Sequence, residues 1–185
     1  MGTVKEAFEK VNRRDFVPKY LQDKAGLNLP LPIGFGQTIS QPSTVCQMLQ
    51  WLDAEPDEKV LDVGSGSGWT AALLSYIVGP KGKVFAVERI PELVRFGRYN
   101  CEKLGIKNAK FFQSSKTCGL PDHSPFDRIL VSASAKTLPD ELITQLKING
   151  KLVIPVKYNI LEIEKTSNKD YSTIVHPGFI FVPLI

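Results

Sequence analysis

Three glycines that directly follow a short apolar run are the residues of this sequence best suited to holding a cofactor. The run Val60–Val63 continues into Gly64-Ser65-Gly66-Ser67-Gly68. In an open α/β sheet, ligands bind at the carboxyl ends of the strands, where glycine lets the backbone approach them closely. The spacing here is GxGxG, whereas dinucleotide sites have GxGxxG and bring a pyrophosphate to a helix N-terminus. Asp62 lies just before the glycines and would repel a diphosphate.

Two acidic residues suggest a cofactor with a positive charge and a ribose. Asp62 could accept hydrogen bonds from the amino group of a methionine moiety. Glu88 ends the next predicted strand, where it could accept hydrogen bonds from both ribose hydroxyls. The order of strand, acid, glycines, helix, strand and second acid predicts S-adenosylmethionine rather than NAD. The predicted binding residues are Asp62, Gly64, Ser65, Gly66, Gly68 and Glu88.

The adenine ring of such a cofactor should lie at the end of the following strand. That strand is predicted to end near Gln113, and the loop after it begins Ser114-Ser115-Lys116. Ser114 and Ser115 offer hydroxyl groups but no carboxylate that could accept a hydrogen bond from the adenine amino group. We take both serines as adenine contacts, although an ordinary polar loop explains them equally well.

Alternating strands and helices must position these residues. Apolar periodicity and turn residues predict strands at 60–63, 83–87, 110–113, 126–132 and 151–156, and helices at 69–78, 91–104 and 139–146. Helices between successive strands imply a parallel sheet with both faces covered. Apolar runs at 160–163 and 178–182, with a polar turn at 167–170 between them, predict an antiparallel pair. The fold class is therefore a Rossmann-like, doubly wound α/β sheet with an antiparallel C-terminal strand pair.

The N-terminal third of the chain is predicted to contain two helices joined by a long loop. An amphipathic, charged helix is predicted at the N-terminus, and a second helix from Ser43 to Asp53. Between them, residues 15–42 contain too many prolines and glycines for a regular element and predict a long, ordered, functional loop. The predicted division of one domain is N-terminal helices and substrate loop at 1–53, cofactor core at 58–156 and C-terminal strands at 157–185.

Composition narrows the class of protein. A length of 185 residues with 43% hydrophobic residues suits one domain. The 23 basic and 19 acidic residues are scattered, which argues against a nucleic-acid surface. Widely spaced cysteines and histidines argue against a metal site or disulfides, and the two histidines and two tryptophans are expected to have surface and packing roles. No window resembles a leader or a membrane span, so we expect a cytoplasmic location and no membrane partner. Oligomeric state is not predictable.

A loop before the second helix resembles a signature of a known enzyme family. The segment Gly34-Phe35-Gly36-Gln37-Thr38-Ile39-Ser40-Gln41-Pro42 is similar to the signature loop of the protein L-isoaspartyl (D-aspartyl) O-methyltransferase family. The likeness extends from about residue 6 to residue 185. It includes FVP at 16–18, PLPIG at 30–34, LDVGSGSG, VERIPEL from 87, PFDRI from 125, LPDELITQLK from 138, GKLVIPV and the final FVPLI.

The resemblance implies a function and a set of site residues. The function is transfer of a methyl group from S-adenosylmethionine to the free α-carboxylate of L-isoaspartyl residues, and more slowly of D-aspartyl residues, in damaged proteins or peptides, which starts their repair. Carried over position by position, Ser40 is the active-site serine and Ile39 lies beside it on the substrate side. Gln37 and Thr38 contact the cofactor, and Ile154 and Pro155 help to hold the substrate chain.

The chemistry of this reaction requires no strong base. A carboxylate with a pKa of about 4 is already ionised at neutral pH, so attack on a sulfonium methyl group depends on positioning and desolvation. Ser40 would donate a hydrogen bond that orients one carboxylate oxygen. A serine at the start of a helix can also serve as its N-cap, which is the alternative role for Ser40.

Three departures from the family pattern leave two other functions open. Ser114-Ser115-Lys116 stands where the family has Gly-Asp-Gly, Lys136 replaces a proline after an alanine-rich turn, and the region after Val156 lacks the usual glycine and glutamine. The first alternative is a methyltransferase of the same fold that acts on another carboxylate. The second is a non-catalytic binding module with a degenerate cofactor site.

Overall fold

A seven-stranded mixed sheet forms the centre of the protein, whose computed structural model describes residues 2–185. The helices and strands follow one another as α1 Val4–Lys10, β1 Leu31–Gly34, β2 Gln37–Ile39, α2 Pro42–Leu52, β3 Lys59–Val63, α3 Trp69–Val78, β4 Lys83–Glu88, α4 Pro91–Lys103, β5 Ala109–Gln113, β6 Phe126–Val131, α5 Asp140–Thr144, β7 Leu146–Val156, β8 Asn159–Lys165 and β9 Tyr171–Pro177. Short 3₁₀ turns lie at Arg13–Phe16, Lys19–Lys24 and Pro121–His123.

The strand order is β5-β4-β3-β6-β7-β8-β9. The pairs from β5 to β7 are parallel, and β8 and β9 are added antiparallel to β7 and to each other. This topology confirms the predicted fold class. The chain first builds outward from β3 to β5 and then returns to add β6 on the other side of β3. The order therefore reverses between β3 and β6, which is where open α/β sheets bind ligands.

Two hydrophobic clusters cover the two faces of the sheet. On β3, Val60 belongs to the cluster that contains α2, α3 and α4, whereas its neighbour Leu61 belongs to the cluster that contains Leu142 of α5. Successive side chains of a strand point to opposite faces, so a strand covered on both faces is apolar at most positions, and Asp62 is the buried polar residue of β3. Packing on both faces holds the ends of β3 and β4 rigidly in place.

Residues 15–42 contain regular structure that the sequence reading did not predict. Strands β1 and β2 form a small antiparallel hairpin separate from the main sheet, with Leu31 opposite Ile39. Prolines can occupy strands that have a free edge, and Pro32 lies in β1 of this two-stranded hairpin. The N-terminal helix is also shorter than expected and ends at Lys10. Met1 lies outside the described residues.

The predicted partner of β8 was wrong. The strand that pairs with β8 is β9 at 171–177, not the apolar run at 178–182. β9 lies at the edge of the sheet and its side chains are mostly exposed, so it lacks an apolar alternation. The run after it leaves the sheet at Gly178, and Phe179 and Phe181 pack on the hydrophobic core instead. Helix α5 is likewise shorter than predicted, because the chain enters β7 at Leu146.

The aromatic residues were predicted partly correctly. Trp51 and Trp69 pack as expected, the first partly buried and the second almost wholly buried. His176, however, lies in β9 rather than in a loop. Its ring stacks on Trp51 with 3.8 Å between centroids, and its Nε2 lies 3.2 Å from Oε2 of Glu162. No helix within residues 2–185 has the length and apolar character needed to cross a membrane.

Candidate active site

A cavity of about 720 Å³ opens at the carboxyl ends of β3, β4, β5 and β6. Its lining combines the turns after these strands, the β1–β2 hairpin and the last residues of the chain. The hairpin and the glycine turn therefore share one cavity although they are distant in sequence. The carboxyl ends of parallel strands lie at the same edge of a sheet, so the turns that follow β3, β4, β5 and β6 come together here.

The glycine turn after β3 forms the floor of the cavity. Gly64, Ser65 and Gly66 line it, and both glycines have positive φ angles, of 76° and 51°. A Cβ atom on Gly66 would lie 3.0 Å from Cδ1 of Ile33 in the hairpin, and a φ of 51° is rarely adopted by residues with a side chain, so glycine suits this position. Ser65 adds a buried Oγ atom that has no hydrogen-bond partner within residues 2–185. An open backbone and an unpaired hydroxyl suit a bound polar ligand.

Gly68 has a different place from the one predicted. It lies outside the cavity lining and forms the N-cap of α3. A Cβ atom there would lie 2.9 Å from Cα of Gly97 in α4. The third glycine thus permits close packing of two helices, and its position gives no support to a direct cofactor contact.

The carboxylate of Glu88 is held in a fixed orientation at the end of β4. Its Oε2 accepts a hydrogen bond from the backbone N–H of Gly66 at 3.1 Å, and its Oε1 accepts one from Ile90 at 2.9 Å. The residue lines the cavity and is 8% exposed. Each carboxylate oxygen can accept more than one hydrogen bond, so both retain capacity for hydroxyl groups of a ligand.

Asp62 lies beneath the glycine turn rather than in the cavity wall. Its side chain is completely buried, and its Oδ2 accepts a hydrogen bond from Oγ1 of Thr70 at 2.7 Å. Burial raises the pKa of the Asp62 carboxyl to about 7, and the charge of Glu88 acts in the same direction. Thr70 itself lines the cavity. Direct contact of Asp62 with a cofactor amino group stays a prediction. Thr70, whose hydroxyl donates to Asp62, is the residue of the pair that lies at the cavity.

The predicted adenine and hairpin residues all line the cavity. Ser114 and Ser115 do so from the loop after β5, and Gln37, Thr38, Ile39 and Ser40 from the hairpin side. The N-cap of α2 is Gln41, so the alternative role of Ser40 as a helix cap is wrong. The Ser40 hydroxyl is consequently not required to cap the start of this helix.

Ile154 and Pro155 lie away from the cavity. Ile154 is completely buried in the hydrophobic core, and neither residue is part of the lining. The carbonyl of Pro155 accepts a hydrogen bond from the backbone N–H of Ala135 at 2.9 Å. Pro155 thus supports a lining residue from behind, and the substrate contacts predicted for both residues receive no support from their positions.

Two walls of the cavity were not among the predicted site residues, although the turn with Lys136 was expected to affect the acceptor. One is the turn at 132–137, where Lys136 replaces the expected proline. The other is the segment 182–185, which is fixed by hydrogen bonds from Ser134 N–H to the Val182 carbonyl and from Leu184 N–H to the Ser134 carbonyl, both 2.8 Å. The segment 178–182 was interpreted as a strand, so its approach to the site was not foreseen. The FVPLI string at 181–185 was the available signal.

These features fit S-adenosylmethionine. A glycine floor, an oriented carboxylate, an unpaired serine hydroxyl and apolar walls meet around one cavity large enough for a nucleoside with a side chain. No group of His, Cys, Asp and Glu residues within 2–185 could hold a metal ion.

Replacement of Glu88 tests the cofactor side directly. Glu88→Ala should weaken binding of S-adenosylhomocysteine by about 1–3 kcal/mol, because charge-assisted hydrogen bonds to the ribose are lost. Isothermal calorimetry measures the change, with Glu92→Ala as the control, since Glu92 is exposed and pairs with Arg95 on α4. Equal affinities of Glu88→Ala and wild type would contradict the assignment.

Comparison of the sequence with known families and curated proteins identifies close relatives. The family model described as Protein-L-isoaspartate(D-aspartate) O-methyltransferase matches residues 1–185. A protein-L-isoaspartate O-methyltransferase from Methanopyrus kandleri is 46% identical over 187 residues, which cover 98% of this chain and 83% of the relative. One from Fervidobacterium nodosum is 42% identical over 182 residues, which cover 97% and 92%.

The fold is similar to solved structures that carry the same enzyme name as these relatives. A protein-L-isoaspartate O-methyltransferase superposes with a TM-score of 0.90 at 26% identity over 98% of this chain, which spans 60% of that protein's length. A Plasmodium falciparum protein described as an enzyme of the same kind, in complex with S-adenosyl-L-homocysteine, superposes with a TM-score of 0.85 at 27% identity, covering 98% and 89% of the two chains.

Proposed function

The chain belongs to the protein-L-isoaspartate(D-aspartate) O-methyltransferase family, and we propose that it methylates the free α-carboxylate of L-isoaspartyl residues, and more slowly of D-aspartyl residues, in damaged proteins. The observation that carries the proposal is the shared cavity, in which the hairpin residues from Gln37 to Ser40 face the glycine turn after β3. A donor and an acceptor held on these two sides would be adjacent. Membership of an enzyme family argues against a non-catalytic binding module.

The cofactor side is built from β3, β4 and β5. When bound, S-adenosylmethionine supplies an electrophilic methyl group on a sulfonium ion. Glu88 would accept hydrogen bonds from the ribose, and the backbone of Gly64 and Gly66 would lie against the methionine portion. Ser65 and Thr70 would meet the polar end of the methionine, and Ser114 and Ser115 the adenine. Asp62 would fix the orientation of the Thr70 hydroxyl, which donates a hydrogen bond to it.

The acceptor side needs to orient an anion rather than to remove a proton. Ser40 would donate a hydrogen bond to one oxygen of the isoaspartyl carboxylate and leave the other oxygen free to attack the methyl group. Ile39 and Val45 contribute apolar surface to the same cavity, and so does the segment 182–185. Apolar walls exclude water, which strengthens the few polar contacts that direct the carboxylate.

A second cavity continues the site and is suited to the rest of a substrate chain. It has a volume of about 660 Å³ and shares Thr38, Ser40, Ser132 and Val182 with the first cavity. The remainder of its lining is uncharged and consists of amides, hydroxyls and apolar side chains, from Gln41 before α2 and Gln47 within it to Phe179 and Ile180. Hydroxyl and amide groups can bind any peptide backbone. Such a groove suits damaged proteins of varied sequence.

The proposal also covers the domain organisation, the partners and the location of the protein. Residues 1–185 would act as one methyltransferase domain, with protein or peptide chains rather than nucleic acid as partners. We propose a cytoplasmic location, which the three free cysteines support, because thiols stay reduced in that compartment.

Transfer of a labelled methyl group tests the proposed function. The purified protein, given labelled S-adenosylmethionine, should label a synthetic L-isoaspartyl peptide. The label should be released by mild base, because the product is a carboxyl methyl ester. The alternative acceptor, another carboxylate, is tested with small acids and with proteins that lack isoaspartate. Cofactor binding without labelling of the isoaspartyl peptide would overturn the proposal.

A further inference from the structure

Arg13 is a buried cation that lies outside the lining of both cavities. The residue is 5% exposed, and no carboxylate within residues 2–185 forms an ion pair with it. Burial lowers the pKa of its guanidinium to about 10, which leaves the group charged at neutral pH. Buried charges without compensation are strongly unfavourable, so the surroundings of Arg13 must supply other contacts.

Those contacts are five backbone carbonyls from two stretches of one loop. Nη1 donates to the carbonyls of Ala25 and Leu27 at 3.0 and 3.2 Å. Nη2 donates to those of Leu29, Ile39 and Ser40 at 2.8, 3.4 and 3.1 Å. The rigid, planar fork of a guanidinium can serve both stretches at once. The guanidinium therefore closes the loop 25–40 at its base.

The guanidinium also lies over an aromatic ring at the start of α3. Its central carbon lies 5.5 Å from the centroid of the Trp69 ring, in a cation–π arrangement. Trp69 is the first residue of α3 and lines the main cavity. Arg13 thus connects the residues that bear the candidate acceptor site with the helix that follows the glycine turn.

We propose that Arg13 is a positioning residue for methyl transfer, which sets the distance and orientation of Ser40 relative to the cofactor turn by holding the Ile39 and Ser40 carbonyls. The inference rests on the proposed function for the identity of the reaction, while the anchoring itself rests on the contacts alone. Ser40 follows directly after β2, and its backbone has no place in the main sheet. Apart from these carbonyl contacts, the hairpin is held by the pairing of its own two strands, by the packing of Leu31, Ile33 and Ile39 in the hydrophobic core, and by a hydrogen bond from Ser43 N–H to Asn28 Oδ1 in the same loop.

Two substitutions separate the charge of Arg13 from its shape. Arg13→Lys keeps the charge, but its one ammonium nitrogen replaces two guanidinium nitrogens that together donate to five carbonyls in a fixed planar fork. Arg13→Met keeps much of the side-chain volume and removes the charge. Arg14→Met is the matched control, because Arg14 lies in the same 3₁₀ turn but is exposed. Its ion pair is a surface contact, with 3.7 Å between Nη2 and Oδ1 of the exposed Asp23.

Kinetics normalised to competent sites give the first measurement. Each variant is titrated with S-adenosylhomocysteine, and rates with an L-isoaspartyl peptide are expressed per binding site. We expect kcat/KM per site to fall roughly 10–100-fold in Arg13→Lys and at least as much in Arg13→Met, because a displacement of about 1 Å costs a factor of this size. Arg14→Met should match wild type. A purely structural role would reduce the number of sites and leave kcat/KM per site at the wild-type value, which would overturn the proposal.

Hydrogen exchange gives the second measurement and does not depend on the acceptor. Amides in residues 31–40 should exchange faster in Arg13→Lys than in wild type, whereas those of β3 and β4 should be unchanged. Unchanged exchange at 31–40, or faster exchange throughout the chain, would overturn the proposal. If wild-type protein binds the cofactor but fails to label any isoaspartyl peptide, the proposed function fails. The exchange comparison would still decide whether Arg13 holds the hairpin.

Discussion

A peptide that contains L-isoaspartate should be methylated on the order of 10⁴ times faster than the same peptide with L-aspartate. Isoaspartate carries its α-carboxylate on a short branch, at a position where aspartate has a backbone amide. A site whose donors are arranged around that carboxylate leaves them unpaired with the normal residue. Unpaired buried donors are costly, and enzymes that recognise a polar group in this way discriminate strongly against ligands that lack it.

The lining of the cavity supports this expectation. Ser40 and Thr38 offer hydroxyl groups near the cofactor side, while Ile39 and Val45 surround them with apolar surface. The measurement compares kcat/KM for two peptides that differ only in the linkage at one residue, with the D-aspartyl peptide as an intermediate case. Equal rates for the isoaspartyl and aspartyl peptides would show that another carboxylate is the natural acceptor.

Replacement of Ser40 by alanine should lower kcat roughly 10–1000-fold and leave cofactor affinity nearly unchanged. The hydroxyl is expected to matter mainly when the carboxylate is aligned for attack, so its loss affects the reacting complex more than the ground state. The N-cap of α2 is Gln41, so removal of the Ser40 hydroxyl leaves the helix start intact. The effect should therefore be on catalysis rather than on folding.

Steady-state kinetics with the isoaspartyl peptide measure the effect of Ser40→Ala, and calorimetry with S-adenosylhomocysteine measures cofactor affinity. Ser172→Ala is a suitable control, because Ser172 lies on the exposed edge strand β9, away from both cavities. A kcat equal to that of wild type would remove Ser40 from the proposed mechanism. A loss of cofactor affinity as large as the loss in kcat would instead assign Ser40 to the cofactor side.

Much of the fold was predictable because its signals are local. The apolar strand β3, the glycines after it and the helix that follows are adjacent in sequence, and their periods identify them as strand, turn and helix. Glu88 was predictable for the same reason, since the end of the next parallel strand must lie beside the end of β3. The segment 37–40 was assigned to the site through a family resemblance, and the cavity lining agrees with it.

The features that the sequence did not predict concern residues whose surroundings come from distant parts of the chain. β9 is an exposed edge strand that pairs with β8, and its side chains contribute little to the core, so the more apolar run after it was mistaken for the strand. The burial of Asp62 beneath Thr70 likewise depends on where α3 lies, which the local pattern around β3 does not specify.

By itself, the sequence determined the α/β class, the order of the parallel strands, helices and turns along the chain, and the types of residue available at the strand ends. Only the tertiary structure decided which of them meet. It brings Gly68 against Gly97, turns 182–185 onto the cavity and surrounds Arg13 with carbonyls from 25–40. The physical reason is that backbone periodicity follows from neighbouring residues, whereas close packing and the pairing of buried polar groups are satisfied only by the whole assembled chain.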